Sequence, residues 1–411
     1  MSDFEWVQLG KIAAITLGQS PDSETYTDDD RYIPFLQGCG DFTRSYPETD
    51  VFCTSPGKVA KEGSLLVSVR APVGTTNVAD KDYCIGRGLA AVKSNIVSAL
   101  YLREAFTVSA SFLHRRAQGS TFDAICAKDL SEMKIPMPKS RRVGAKVTDI
   151  IQCLNSELDA TQALIEKYTA IKQGMMADLF SRGIDPETKA LRPTFGEAPE
   201  LYYKTPLGML PKGWDIAPFE QLSEVIDPNP SHRYPDSVSI GGVPIASTEN
   251  FEGTDGFNLV KSKLVPDSEF EKQFERCKYQ KDDVIFARKG RIGFARQYGE
   301  AKKVFSHTVV VMKAKAGVFP DFLLWLARST QYLEAIDFEM NSNSGVPTLG
   351  VDVIKRVRVA VPSVEEQQDI AKCLNQINKK IHTELAFLAK TKAQKSGLMQ
   401  DLLTGKVSVP A

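Results

Sequence analysis

Two kinds of hydrophobic pattern alternate along the chain. Short apolar runs bounded by glycine and proline, such as SLLVSV at 64–69, VIFA at 284–287, HTVVVM at 307–312 and VRVAV at 357–361, predict β-strands. One helical stretch accompanies them in each half, ALYLREAF at 99–106 and FPDFLLWLARSTQYLEAI at 319–336. After Pro138 and again after Pro362 the period changes. Ile151, Leu154, Leu158, Thr161, Ile165 and Tyr168 recur at spacings of three and four, as do Leu374, Ile377, Ile381, Glu384 and Leu388. That is the seam of a coiled coil. Gly183 and Gly405 stand where helix C-caps are expected. A helix of some 35–40 residues runs on the order of 55 Å at 1.5 Å per residue, too long to bury its seam against a small domain. The two seams most simply pair with each other, through Ile151, Leu154, Leu158 and Ile165 on one side and Leu374, Ile377, Ile381 and Leu388 on the other.

The pattern occurs twice because the chain repeats itself. Trp6 with Leu9, Ile12 and Ile15 is answered by Trp214 with Phe219, Leu222 and Val225, and Ile33-Pro-Phe35 by Val243-Pro-Ile245. From Leu9 to Pro34 the offset is 210 residues. Gly63–Gly74 then matches Asp282–Gly293 at 219, Ile135–Pro138 matches Val359–Pro362 at 224, and Lys172–Leu179 matches Lys395–Leu402 at 223. The order is strict and the offset changes only at plausible loops. A Pro- and Gly-rich stretch without periodicity, 182–212, reads as a linker. The organisation expected is therefore a first domain at 1–139, a helix at 140–181, the linker, a second domain at 213–363 and a second helix at 364–405. A chain duplicated in this way should approach two-fold symmetry.

At 411 residues, 42% apolar and 25% charged, the composition fits folded domains and neither a fibrous nor a disordered class. No basic leader or membrane-length apolar run is present, so the chain reads as cytosolic. Seven cysteines form no CxxC pair and four histidines lie far apart, so neither a disulfide framework nor a zinc site is expected.

Catalytic loops are missing too. There is no GxGxxG after a strand, no GxxxxGK[ST] and no Asn-Pro-Pro-Tyr; Asp227-Pro-Asn-Pro230 is only superficially like the last. Leu403-Thr-Gly-Lys406 ends a helix instead of opening one, and Glu187-Thr-Lys189 falls in the linker. No catalytic residue, cofactor or metal is assigned. Charge is more informative locally than globally: 51 basic residues balance 51 acidic ones, yet seven basic residues face three acidic ones between Lys281 and Lys303. Between Ser111 and Lys146 eight face three. Such clusters suit phosphate contacts, and Arg, Asn or Gln on neighbouring turns suits base-edge reading. By residues alone, a solvated surface remains the competing explanation.

The duplicated architecture resembles the specificity subunit of type I restriction-modification systems, the HsdS family. The resemblance rests on Trp6 and Trp214, the turns Val69-Arg-Ala-Pro-Val-Gly74 and Arg288-Lys-Gly-Arg-Ile-Gly293, and Val361-Pro-Ser-Val-Glu-Glu-Gln367. The endings Gly174–Gly183 and Gly397–Gly405 complete it. One departure is that Lys139-Ser-Arg-Arg-Val143 replaces the Pro-x-x-Glu-Gln turn in the first copy. The resemblance implies an α+β fold with two similar target-recognition domains held apart by an antiparallel helix pair. It also implies a bipartite duplex DNA target, two modification (methyltransferase) subunits and ATP-dependent restriction subunits as partners, with no chemistry on this chain. The candidate DNA contacts are Arg70, Arg87, Arg115, Arg116, Gln118 and Lys128 in the first half. In the second they are Arg288, Lys289, Arg291, Arg296, Lys302, His307, Asn341 and Asn343. A coiled-coil adapter that binds only proteins is the main alternative, and a monomeric endonuclease a third reading.

Overall fold

The computed structural model describes residues 3–117, 124–338 and 349–408. The chain divides into two compact units, 1–164 with 384–411, and 165–383. The division cuts through both long helices, Arg141–Ser181 and Val364–Leu403, so neither helix is a body of its own.

In the first unit a four-stranded antiparallel sheet runs in the order Ala13–Leu17, Leu89–Ser94, Leu65–Ser68, Thr76–Val78. The second unit repeats it as Ser223–Ile226, Val309–Ala314, Val284–Ala287, Ala295–Gln297. Equivalent registers fix the correspondence: Ala13 faces Ser94 as Ser223 faces Ala314, and Ser68 faces Leu89 as Ala287 faces Val309. A parallel pair also recurs, Phe35 with Cys84 and Ile245 with Val304.

The central strands Leu65–Ser68 and Val284–Ala287 are buried throughout because each face meets a different core. Successive side chains of a strand point to opposite faces. Leu65 and Val67 join a cluster with Tyr101, Leu102 and Phe106 of the helix Ala99–Ala117, while Leu66 joins Leu36, Ile85 and Ala91. Val284 and Phe286 likewise pack with Phe322 and Trp325, and Ile285 with Phe305 and Val311.

The long helices feed these cores at their ends. Val147 and Ile151 enter the first core with Met399, Leu402 and Leu403; Leu179 and Phe180 enter the second with Ile370, Ala371 and Leu374. In each unit, then, the start of one helix shares a core with the end of the other. Ile151 and Leu374, expected only in a helix–helix seam, are domain-core residues, and Leu154 packs partly on the first core. Ile165, Ile377, Ile381 and Leu388 are buried along the helices and Leu158 is half-buried.

The registers correct one match. Gln8 faces Lys134 and Pro218 faces Arg358, an offset of 210 that pairs Trp214 with Phe4, not with Trp6. Phe4 and Trp214 are 5% and 3% exposed, whereas Trp6 is 49% exposed. The equivalence is one of buried ring positions, and Trp6 lies on the outer face of its strand.

The stretch 182–212 is built, not loose. It holds the hairpin Tyr202–Thr205 with Gly208–Pro211, and Arg192 from it pairs with Glu366. Glu366 also accepts from Trp214 Nε1 at 3.0 Å and from Ile184 N at 2.8 Å. Gly183 crosses this knot with φ +62°; a Cβ there would lie 2.1 Å from Glu366 Oε1 and 2.5 Å from the Trp214 ring. Gln367 accepts from Phe319 N at 2.9 Å. The Glu-Glu-Gln run that opens the second helix is thus a docking element for the linker and the helix Pro320–Ala327, and the first helix, opening Arg-Arg-Val, has no such run.

Candidate nucleic-acid interface

Two turns of each sheet carry four of the sequence-derived candidates at equivalent positions. Arg70 and Lys289 stand two residues beyond the equivalent strands Leu65–Ser68 and Val284–Ala287. Arg87 and His307 stand two residues before Leu89–Ser94 and Val309–Ala314, which pair with those strands. The backbone joins the two turns in both units, Val69 N donating to Gly88 O and Arg288 N to Thr308 O. The repeat therefore brings Arg70 and Arg87 to one end of the first sheet, and Lys289 and His307 to the same end of the second.

In the first unit Arg70, Arg87 and Arg115 are exposed. Arg116 lies 3.2 Å from Glu132 and 3.6 Å from Asp129, and Lys128 lies 3.8 Å from Glu132. These three are surface ion pairs worth about 0–1 kcal/mol each. Gln118, Asn341 and Asn343 lie outside the described residues.

The basic run of the second unit separates by burial. Arg291 is exposed and Lys289 half-exposed, so both face outward. Lys302 is held by Asp267 at 2.6 Å and lies over the Phe270 ring. Arg296 is 1% exposed and stacks on Phe251 at 4.2 Å, its guanidinium donating to the carbonyls of Gly256, Glu252 and Gly253. Burial lowers its pKa to about 10. Its donors are spent on a hairpin, and it is left out of the interface on that ground. Lys303 is buried between Tyr298 and Phe257.

Arg288 is mostly buried as well. Its Nη2 meets Asp227 Oδ2 at 2.7 Å and His232 Nε2 at 3.2 Å, and its Nε donates to the His307 carbonyl at 3.1 Å. His232 stacks on His307 with centroids 5.2 Å apart, and Tyr234 meets His307 edge-on at 5.8 Å. Burial, then the charge of Lys289, the neighbouring His232 and Arg288 hold the His307 pKa below its ordinary value. Asp227, His232 and Tyr234 are absent from the sequence-derived set. The signal that could have found them is a His-Arg-Tyr run bracketed by Pro228, Pro230 and Pro235, directly after a strand.

Among the described residues no group of three or more His, Cys, Asp or Glu side chains could hold a metal ion, and no helix is long and apolar enough to cross a membrane.

The architecture and the sequence agree with known proteins. The structure of a type I restriction-modification system S subunit from M. genitalium superposes with a TM-score of 0.61 at 15% identity, covering 98% of this chain and 96% of that one. A chain from a structure concerned with complex assembly and conformational transition of the type I R-M system gives 0.55, also at 15% identity, with 98% of each covered. At that identity the likeness is one of fold. In sequence, the putative type I restriction enzyme MjaX specificity subunit of Methanocaldococcus jannaschii is 40% identical over 140 residues. That match spans 33% of this chain and 33% of the relative, so it covers about a third of the relative's length. The MjaVIII specificity subunit of the same organism is 22% identical over 327 residues, 77% of this chain and 72% of that protein. The family model for the type I restriction modification DNA specificity domain matches twice, at residues 1–167 and 238–388. Since those two matches take in well over half of the chain, it belongs to the family of type I restriction modification DNA specificity domains.

Proposed function

We propose that this chain is the non-catalytic DNA-recognition subunit of a type I restriction-modification complex, each unit reading one half of a bipartite duplex target. The observation that carries the reading is that one scaffold, duplicated with its strand registers intact, presents different side chains at equivalent turns: Arg70 and Arg87 in the first unit, Lys289 and His307 in the second. A repeated frame with altered turns suits two half-sites of different sequence. Phosphate contacts come from Arg70, Arg87, Arg115, Lys289 and Arg291, and base contacts from the same turns. The long helices set the spacer and dock two methyltransferase subunits, and ATP-dependent restriction subunits join that assembly in the cytoplasm.

The test is the methylated sequence in a host expressing the chain with its modification subunits. Exchanging the first unit's two turns for those of the second should convert one half-site and leave the other unchanged. Inserting seven residues in each long helix keeps the period of the buried stripe and adds about 10 Å at 1.5 Å per residue, so the spacer should grow by about three base pairs of 3.4 Å with both half-sites intact. Duplex binding by the complex should fall steeply with salt, whereas a protein adapter would bind no duplex at low salt.

A further inference from the structure

The segment 227–235 of the second unit is more elaborate than a connection requires. Asn229 is buried and binds at both ends: its N donates to Asp227 Oδ1 at 2.9 Å, its Nδ2 to Arg233 O at 2.8 Å, and its Oδ1 accepts from Ser231 Oγ at 2.8 Å. This frame, with Pro228, Pro230 and Pro235, fixes His232 at φ +57°, in the left-handed region. A non-glycine residue there costs of order 1 kcal/mol or more, and such outliers gather at functional sites. What the strain achieves is visible: it sets the imidazole flat on His307 and beside Arg288. Yet the side chain is 57% exposed, so packing does not account for it. Tyr234, 54% exposed, completes a wall of three rings. His307 Nδ1 is buried with no hydrogen-bond partner.

From this we infer that His232, His307 and Tyr234 form the base-contacting surface of the second unit, with Asp227 and Arg288 as positioning residues behind it. The inference rests on the DNA-recognition reading and deepens it. Asp227 neutralises Arg288 and fixes its guanidinium, so the charge is used to hold the rings and not to bind a phosphate. With His232 Nε2 turned to Arg288 and His307 Nδ1 buried, one nitrogen of each ring is left to meet a base edge and the tyrosine adds a hydroxyl, groups that discriminate base edges in the major groove but add little non-specific attraction. Lys289 and Arg291, on the adjoining turn, supply the phosphate contacts. Among the described residues the first unit has no such wall: Arg87 occupies the position of His307, and Leu17 that of Asp227. The two half-sites are accordingly read by different chemistry.

The left-handed backbone makes His232→Gly a clean test, because glycine relieves strain while deleting the ring. In the chain assembled with its modification subunits, H232G should keep or raise the thermal midpoint and keep affinity for non-specific duplex. Discrimination between a matched and a mismatched second half-site should fall roughly tenfold, about 1.4 kcal/mol. H232G/Y234A should deepen the loss, and the first half-site should stay as selective as before. Unchanged second-half-site discrimination in both variants, with a wild-type complex that recognises a bipartite sequence, overturns the platform alone. A wild-type complex without sequence preference overturns the recognition reading and the platform with it.

Discussion

In the first unit a turn closed by the bridge between Phe42 and Pro47 reaches the long helix through Arg44 and Asp159, 2.6 Å apart and both about half exposed. In the second unit the equivalent hairpin, Phe251–Glu252 with Gly256–Phe257, presents Asp255 instead. Asp255 meets Arg328 at 2.5 Å, Asn378 at 2.8 Å and His382 at 2.5 Å. His382 and Asn378 lie 223 residues beyond Asp159 and Asn155, the offset of the helical repeat. The same joint is made with the carboxylate moved from the helix to the turn, once in a solvent-exposed pair and once in a half-buried network. Behind the first joint lies an open cleft of about 730 Å³ lined by Arg103, Glu104, Asn155 and Lys395. In the second unit Lys172, the repeat partner of Lys395, bonds Asn378, the counterpart of Asn155, at 3.1 Å and lies over the Trp325 ring, on which Arg328 also stacks. Duplication therefore preserved the frame and left the electrostatics of its joints free to diverge. The second unit is the more heavily cross-braced, and the variants below probe how far that difference goes.

The largest effect is expected where the second unit has a device with no equivalent in the first. Glu366 is buried and shared among Arg192, Trp214 and Ile184 N. Removing one partner of a buried ion pair costs about 3–5 kcal/mol because the remaining charge is left without compensation. Arg192→Met should thus lower the unfolding free energy of the second unit by that amount, read by chemical denaturation. Gly183→Ala, with a forbidden Cβ and φ +62°, should act on the same knot with a loss of more than about 1 kcal/mol.

Next is Asp255. Burial pushes its carboxyl up, but Arg328 and the hydrogen bonds from Asn378, Arg328 and His382 outweigh burial and hold it well below the usual carboxylate range. A carboxyl with a folded pKa below its unfolded one stabilises above the unfolded value, near pH 4, and the benefit is lost as pH falls through the folded pKa. Asp255→Asn should therefore cost about 1–3 kcal/mol at pH 7, and the gap from wild type should narrow as pH drops below about 4.

Lys303 offers an opposite sign. It occupies the position of the buried Tyr83 of the first unit, since Cys84 and Val304 follow them at equivalent registers. Burial depresses its pKa to about 8, so between about pH 8 and the unfolded value near 10.4 the unfolded chain binds more protons and stability rises with pH. Lys303→Met should be more stable than wild type at pH 7, with an advantage that shrinks on titration toward pH 10. A thermal midpoint lowered at pH 7 would show instead that the cation over Tyr298 and Phe257 is net stabilising.

These positions also mark where sequence reading reached and where it stopped. The repeat was legible because each copy keeps its apolar strand positions, and those set the registers. Trp6 misled because matching by residue type ignores the face of the strand: the buried ring equivalent to Trp214 by register is Phe4. Counting charges placed Arg296 and Lys303 on the surface, whereas stacking on Phe251 and Tyr298 lets both be buried. The Pro-bracketed run at 228–235 marks a fixed segment after a strand, but what His232 and Asp227 touch was not legible, because His307 and Arg288 respectively lie more than 60 residues away in sequence, on a turn that only the folded sheet brings close.

The smallest effect should come from the joint in the first unit, and there the direction is more informative than the size. Arg44 and Asp159 are 43% and 56% exposed, so their attraction is screened and the pair is worth about 0–1 kcal/mol. Arg44→Glu should cost the first unit no more than about 1 kcal/mol, since it places like charges together at the surface and leaves no buried group unpaired. Adding Asp159→Arg should recover most of that loss, because the reversed pair puts the carboxylate on the turn, where the second unit already carries Asp255. The double-mutant cycle isolates this coupling from the individual losses. If reversal is tolerated and the methylated sequence is unchanged, either polarity serves the joint and its role is to hold a turn against a helix. If reversal is stable yet alters the first half-site or the spacer, the joint also orients the reading turns, and the heavier bracing around Asp255 gains the same meaning for the second half-site.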